Sequence, residues 1–248
     1  MKVRYFSDLH LEFIKPNKIE QFIRKIPPGM DEICILAGDI GNPYQSNYDI
    51  FMNFISQNFK KTFYIPGNHE YYNKKKTIQE TNEFMQDYFK NFNNIRFLNN
   101  NYEIYDNYCF IGTTLWSKIT NPGYEINDVY NIPNLDYIEY NKLNRLSVDF
   151  LQDTLQKNEN CIVITHHVPS YLLIDVKYKT LNMQPYNQWF YCNMDDFIET
   201  HKEKIKYWIY GHTHTPSNVI INEISFLCNP IGYPNENSML DFQKHFTI

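Results

Sequence analysis

Glycine and proline are scarce, 8 and 12 of 248 residues, which excludes a collagen-like or linker-dominated chain. Basic residues are outnumbered, 23 Lys and Arg against 28 Asp and Glu for a net charge of −5. That balance disfavours a partner held by phosphate-backbone electrostatics, so no long nucleic acid is expected. The five cysteines (Cys34, Cys109, Cys161, Cys192 and Cys228) are odd in number and far apart in sequence. They read as buried free thiols in a reducing compartment rather than a disulfide framework or zinc knuckle. No apolar run approaches the roughly 20 residues of a membrane span, and the opening MKVRYFSDLH turns polar too early for a secretory leader. The expectation is a soluble, cytoplasmic protein with no membrane partner.

What is present is ordinary globular material, 43% hydrophobic and 21% charged, long enough to bury a large core. Short β-type runs alternate with helical periods. Strands are expected at Lys2–Phe6, Ile33–Ala37, Lys61–Ile65, Ile95–Leu98, Cys109–Gly112, Cys161–Thr165, Tyr207–Tyr210, Asn218–Ile221 and Ser225–Cys228. Runs such as ICILA and CIVIT suit strands buried on both faces. Apolar stripes at helical spacing mark helices over 17–26, 47–59 and 142–156, and another near 194–204. Thr77 followed by Glu80 forms a capping box opening a helix that carries Met85, Tyr88, Phe89 and Phe92. The alternation predicts an α/β domain with a largely parallel or mixed sheet, and the strands after residue 207 should add to it antiparallel. With no linker or repeat, residues 1–248 read as one domain. Two stretches rich in Tyr, Asn and Pro, 113–140 and 171–192, fit no element; long loops of this kind are often functional.

Each apolar run stops on polar residues of a particular kind. The pieces are Ser7-Asp8-Leu9-His10, Gly38-Asp39-Ile40-Gly41-Asn42, Gly67-Asn68-His69-Glu70, Thr165-His166-His167-Val168-Pro169 and Gly211-His212-Thr213-His214. The carboxyl ends of strands in an open α/β sheet share one rim, where ligands bind. Six of eight histidines fall in these pieces; His201 and His245 lie elsewhere and read as surface residues. In Asp8-x-His10 and His212-x-His214, extended backbone sends residues i and i+2 to the same side, so one segment can offer a cation two ligands. Glycines 38, 67 and 211 stand just before these residues, where a missing side chain lets the backbone turn closely beside an ion. His69-Glu70 lacks the second histidine of a zinc-protease H-E-x-x-H helix, because position 73 is Asn.

SDLHLE, AGDIG, PGNHE, THHVPS and YGHTH resemble, in order and spacing, the signature blocks of the calcineurin-like metallophosphoesterases. GNHEYY, GTTLW and NPIGYP are similar to small single-domain bacterial and viral members. The resemblance implies a four-layer αββα sandwich of two mixed β-sheets with the metal site at strand C-terminal ends. Carried over by position, it implies Asp8, His10 and His214 on one divalent ion, Asn68, His166 and His212 on a second, and Asp39 bridging both. His166 is preferred to His167 as the first of the pair at the strand end. The oxygen and imidazole set suits Mn²⁺ foremost, or Fe or Zn²⁺. The implied activity is hydrolysis of a phosphate mono- or diester by a metal-bound hydroxide, with His69 as general acid. A nuclease or cyclic-nucleotide phosphodiesterase of the same superfamily is the alternative, and a non-catalytic scaffold the remaining one. Tyr72, Trp116 and His167 are candidate substrate contacts. Glu12 and Glu70 are candidates to orient ligand histidines, and Asn73 and Asn229 to donate to phosphate oxygens. The 171–192 stretch, with Tyr171, Tyr178, Tyr186, Trp189 and Phe190, is expected to wall the substrate, the alternative being a surface loop whose aromatics only pack on the sandwich.

Overall fold

A computed structural model describes residues 1–236 and 240–248. The strands are β1 (Lys2–Phe6), β2 (Gly29–Ala37), β3 (Phe59–Ile65), β4 (Ile95–Phe97), β5 (Asn101–Tyr105), β6 (Tyr108–Thr113), β7 (Cys161–Thr165), β8 (Ile205–Ile209), β9 (Ser217–Ile221), β10 (Ile224–Cys228) and β11 (His245–Thr247). The α-helices are α1 (Ile19–Ile23), α2 (Ser46–Asn58), α3 (Ile78–Phe89), α4 (Asn127–Asn131), α5 (Tyr137–Lys157), α6 (Gln184–Asn187) and α7 (Asp195–His201). Thr77 caps α3 as expected: its side chain accepts from the Glu80 amide while Glu80 reaches back to the Thr77 amide.

Two sheets form, one in the order β11-β1-β2-β3-β4 and one in the order β5-β6-β7-β8-β10-β9. The period of two along each strand sorts the core into three layers. Ile33, Ile35 and Ala37 of β2 face the second sheet, where they meet Phe110, Ile162, Ile164 and Ile209. The Phe63 and Phe110 rings stack 4.0 Å apart between the sheets. The alternate residues of β2, Cys34 and Leu36, turn outward into a cluster with Phe22, Phe51, Ile55 and Met85 of α1 to α3. On the far side, Val163 and Trp208 pack with Leu151 and Leu155 of α5 and Ile198 of α7. Each such fully buried side chain contributes about 1.5–3 kcal/mol. Helix, sheet, sheet, helix is the four-layer sandwich, with both sheets mixed.

The last strands correct one expectation. β9 pairs antiparallel with β10, and β11 with β1, but β10 runs parallel to β8. Asn222 and Glu223 sit at φ 51° and 67°, the left-handed pair that closes a two-residue hairpin, and the returning strand enters between β9 and β8. Two edge strands, β5 and β11, lie outside the expected set. His201 is not a surface residue: it is 6% exposed, with its Nε2 3.0 Å from Gln152 Oε1. His245 is exposed on β11. All five cysteines are free and buried. Among the described residues, no helix is long and apolar enough to cross a membrane.

Parallel pairing makes β1, β2 and β3 end at the same rim as β6, β7, β8 and β10. The sheets touch there: the Ser7 amide donates to Asn229 O at 3.2 Å, and the Gly232 amide to Asp8 O at 3.0 Å.

Candidate metal centre

Five strands deliver their terminal polar residues to this rim, and after three of them, β1, β2 and β8, the backbone turns sharply. Asp8, His10, Asp39, His212 and His214 adopt positive φ values of 51°, 48°, 53°, 66° and 49°. Non-glycine residues in this region cost on the order of 1 kcal/mol each and persist only where surrounding contacts hold them. Those contacts are visible. The Asp8 amide donates to Gly38 O, the His10 amide to Asp39 O and the His212 amide to Asp8 Oδ1. Glu70, fully buried, accepts from the amides of Gly67, Asp39 and Ile40 at 2.7, 3.0 and 2.8 Å. It pins the Asp39 and Asn68 turns together and does not orient a histidine ring. Burial and the neighbouring Asp39 push its carboxyl up to about 7. Gly38, at φ 82°, lies so close to His166 and Gly67 that no Cβ fits there.

The side chains form two groups sharing Asp39. Asp8, His10, Asp39 and His214 place one donor atom each within 4.8 Å of one another, and so do Asp39, His166 and His212. Asp39 Oδ2 lies 3.9 Å from His10 Nε2 and 3.3 Å from His166 Nε2. The hydrogen bonds on the opposite ring atoms decide what these rings offer. His10 Nδ1 meets Glu12 Oε1 at 3.1 Å and His214 Nδ1 meets Glu236 Oε2 at 2.6 Å. With Nδ1–H committed to carboxylates, both Nε2 atoms present lone pairs, yet they face each other at 3.1 Å. His166 Nδ1 donates to Ala37 O, so its Nε2 lone pair faces Asn68 Oδ1 at 3.0 Å and Asp39 Oδ2. Acceptors aimed at acceptors need a proton or a metal ion between them. Asp8 Oδ2 and His212 Nε2, both buried, have no hydrogen-bond partner among the described residues. The residues therefore fit divalent ions, with no thiolate in the set.

The local field has the matching sign. Burial alone would depress the His166 ring, but Asp39 and Asp8 outweigh it and raise its pKa to about 10. His69 is likewise opposed by burial and raised by Asp39 and Glu12 to about 9. His212 shifts the other way, far below its ordinary value, through burial and the adjoining His167 and His166.

His69 Nδ1 lies 2.9 Å from Glu12 Oε1, so Glu12 holds both this ring and His10. The ring stacks on Tyr72 at 4.1 Å, and its Nε2 meets the Tyr233 hydroxyl at 3.0 Å. His167 turns away from the cluster: its Nε2 lies 2.8 Å from the Tyr140 hydroxyl, and burial with His166 nearby lowers its pKa to about 3. Trp116 is 3% exposed and packs on Tyr140, so it belongs to the core and not to a substrate surface. Asn229 is also structural, its side-chain amide donating to Tyr5 O and Asp241 O, and Asn73 Oδ1 accepts from the amides of Lys75 and Lys76. Trp189 is fully buried against Tyr140, which removes it from the expected wall.

Beside the cluster opens a cavity of about 260 Å³ whose lining includes Asp39, Asn68, His212, His214, Tyr72 and Tyr233. The 171–192 stretch does reach it, through Ile174, Tyr178, Met183, Asn187 and Phe190. Sequence reasoning missed two carboxylates here. Glu236 holds His214, as above. Asp128 of α4 is fully buried and accepts from Asn68 Nδ2 at 2.8 Å, from Tyr140 at 3.0 Å and from the Tyr72 hydroxyl. By taking the Asn68 amide nitrogen, it turns Oδ1 toward His166. No periodicity or motif marks either residue, because the contacts exist only in the folded chain.

Comparison with known proteins agrees with this geometry. Protein L509 of Acanthamoeba polyphaga mimivirus, described as uncharacterized, is 32% identical over 95% of this chain and 92% of its own length. The phosphopantetheinyl hydrolase of Mycobacterium tuberculosis superposes with a TM-score of 0.73 at 15% identity, covering 94% of this chain and 90% of that one. TT1561 of Thermus thermophilus gives a TM-score of 0.55 at 14% identity, over 92% and 88% of the two chains. Residues 1–216 match the calcineurin-like phosphoesterases. The chain belongs to the calcineurin-like phosphoesterase family.

Proposed function

We propose that this protein is a dinuclear metal-dependent hydrolase of phosphate mono- or diesters, folded as one domain over residues 1–248. The observation that carries the reading is the convergence of the Nε2 atoms of His10, His214 and His166 on the oxygens of Asp8, Asp39 and Asn68. Asp8, His10 and His214 would hold one ion and Asn68, His166 and His212 the other. Asp39 serves both, since its Oδ2 faces a ring of each group. Divalent ions bound there, Mn²⁺ foremost, supply Lewis acidity toward phosphoryl oxygens and lower the pKa of a water. His69 is the proton donor to the leaving group. Glu12 keeps the His69 Nδ1 proton in place, and Nε2 is turned toward Tyr233, whose ring lines the cavity. The five buried, unpaired cysteines support a cytoplasmic setting.

Removal of ions by chelation, verified by elemental analysis, is the direct test. Turnover of phenyl phosphate or a bis-aryl phosphate should vanish and return with Mn²⁺, and Asp39→Ala should abolish both turnover and ion retention. Full turnover by ion-free protein would overturn the assignment.

A further inference from the structure

We propose that the cavity beside the ligand cluster is a leaving-group subsite shaped for an uncharged, largely apolar organic group, so that the preferred substrates carry no anionic group besides the reacting phosphate. This rests on the phosphoesterase reading above and names the substrate class for the same site. The cavity is continuous with the cluster, because Asp39, Asn68, His212 and His214 form part of its lining. A phosphoryl group seated on those residues must therefore direct its ester substituent along the remaining walls. Those walls are mainly hydrocarbon: Ile126 from one loop, with Ile174, Tyr178, Met183 and Phe190 from the 171–192 stretch. The Phe190 ring lies 4.9 Å from that of His212, so the apolar wall begins directly beside a ligand ring. At about 260 Å³ the space lies just under the usual range of small-molecule sites, about 300–1,000 Å³, and admits a ring or short chain rather than a folded peptide.

Charge sharpens the choice. Among the described residues, no Lys or Arg lines the cavity, whereas the carboxylates of Asp128 and Glu236 do. Both carboxylates are already engaged, Asp128 with Asn68, Tyr72 and Tyr140, and Glu236 with His214 and the Tyr233 amide. Lys177, in the same stretch, is exposed, its Nζ 4.8 Å over the Tyr178 ring and 3.9 Å from Asp175. A second phosphate or a carboxylate placed along these walls, beyond the residues proposed to hold the ions, would give up water and meet no Lys or Arg among the described residues in return. Asn127, Asn187 and Thr213 remain on the lining to meet a hydroxyl or amide of an uncharged group.

Calorimetry on the Mn²⁺-loaded protein with three non-hydrolysable phosphonates tests the subsite without turnover. Benzylphosphonate should bind about tenfold or more tightly than methylphosphonate, through burial of the ring. A 4-carboxybenzylphosphonate should lose that gain. Met183→Arg, at a half-buried wall position, should restore binding of the carboxylated probe relative to benzylphosphonate. Met183→Ala, the milder change, should weaken only benzylphosphonate. Equal affinity for benzyl- and methylphosphonate would overturn the subsite, and preference of the native protein for the carboxylated probe would overturn its charge selectivity. Absence of methylphosphonate binding on ion-loaded protein would instead strike the phosphoesterase reading, and the subsite with it.

Discussion

Glu12 Oε1 lies within hydrogen-bond reach of both His10 Nδ1 and His69 Nδ1, so one carboxylate sets the tautomer of a proposed ligand and of the proposed proton donor. The two rings should nevertheless separate by mutation. His69→Ala is expected to keep both ions yet lose rate by roughly 10²–10⁴-fold on phenyl phosphate, and less on p-nitrophenyl phosphate, whose leaving group departs without a proton. Elemental analysis alongside kcat checks this, and loss of an ion would make His69 a ligand. Glu12→Ala should lower ion affinity as well as kcat, by about 10–100-fold, because it frees the His10 ring too. The proposed ligands were legible in the sequence because each stands within five residues of the end of an apolar strand. Glu236 and Asp128 were not, since a carboxylate that bonds one particular histidine or asparagine leaves no spacing signal.

Among the elements, α3 and α4 show two ways of being set. The α3 start is written locally in Thr77 and Glu80, which bond each other across three residues on the exposed surface. Thr77→Ala should cost about 1 kcal/mol in denaturant unfolding and leave kcat/KM unchanged. The short α4 has no side-chain cap and is fixed instead by Asp128, which joins Asn68, Tyr72 and Tyr140. Asp128→Ala should therefore release the Asn68 amide. The expected reading is weaker retention of one ion of the two, measured by metal titration, with the other unaffected. Wild-type affinity for both ions would show that the Asn68 orientation is held by other means. The continuous strands β2 and β7 were legible from their apolar runs. The 171–192 stretch was not, because irregular backbone has no period to separate Trp189, which is buried, from Tyr178 and Phe190, which line the cavity. The edge strands β5 and β11 escaped for a related reason: an edge strand buries little, so its pattern is weak.

Across the whole molecule, the proposed ligands come from both sheets: Asp8, His10, Asp39 and Asn68 follow strands of the first, and His166, His212 and His214 follow strands of the second. Ions held there would tie the two halves of the sandwich at one rim, in addition to the apolar layer between them. Binding to the folded state alone stabilises it by about 2.7 kcal/mol at a hundredfold excess over Kd. Thermal unfolding should accordingly rise with Mn²⁺ concentration and fall on chelation, while Asp39→Ala should unfold at the same temperature with and without Mn²⁺. The four-layer order was legible through the resemblance of five short blocks, but the parallel β8–β10 pairing was not. Adjacency of strands depends on which hairpin folds inward, and the turn at Asn222-Glu223 carries no instruction about the neighbour its second strand will meet.

The left-handed backbone at Asp8, His10, Asp39, His212 and His214 bears on the inheritance of this chain. Glycine adopts such φ values freely and asparagine with little penalty, so backbone preference alone would not select histidine there; the proposed ion binding would account for these residue types. A lineage freed from that selection should drift toward Gly and Asn at these positions while its folded state grows no weaker. Inactive descendants would then be recognised by strand ends that have relaxed rather than by cores that have decayed.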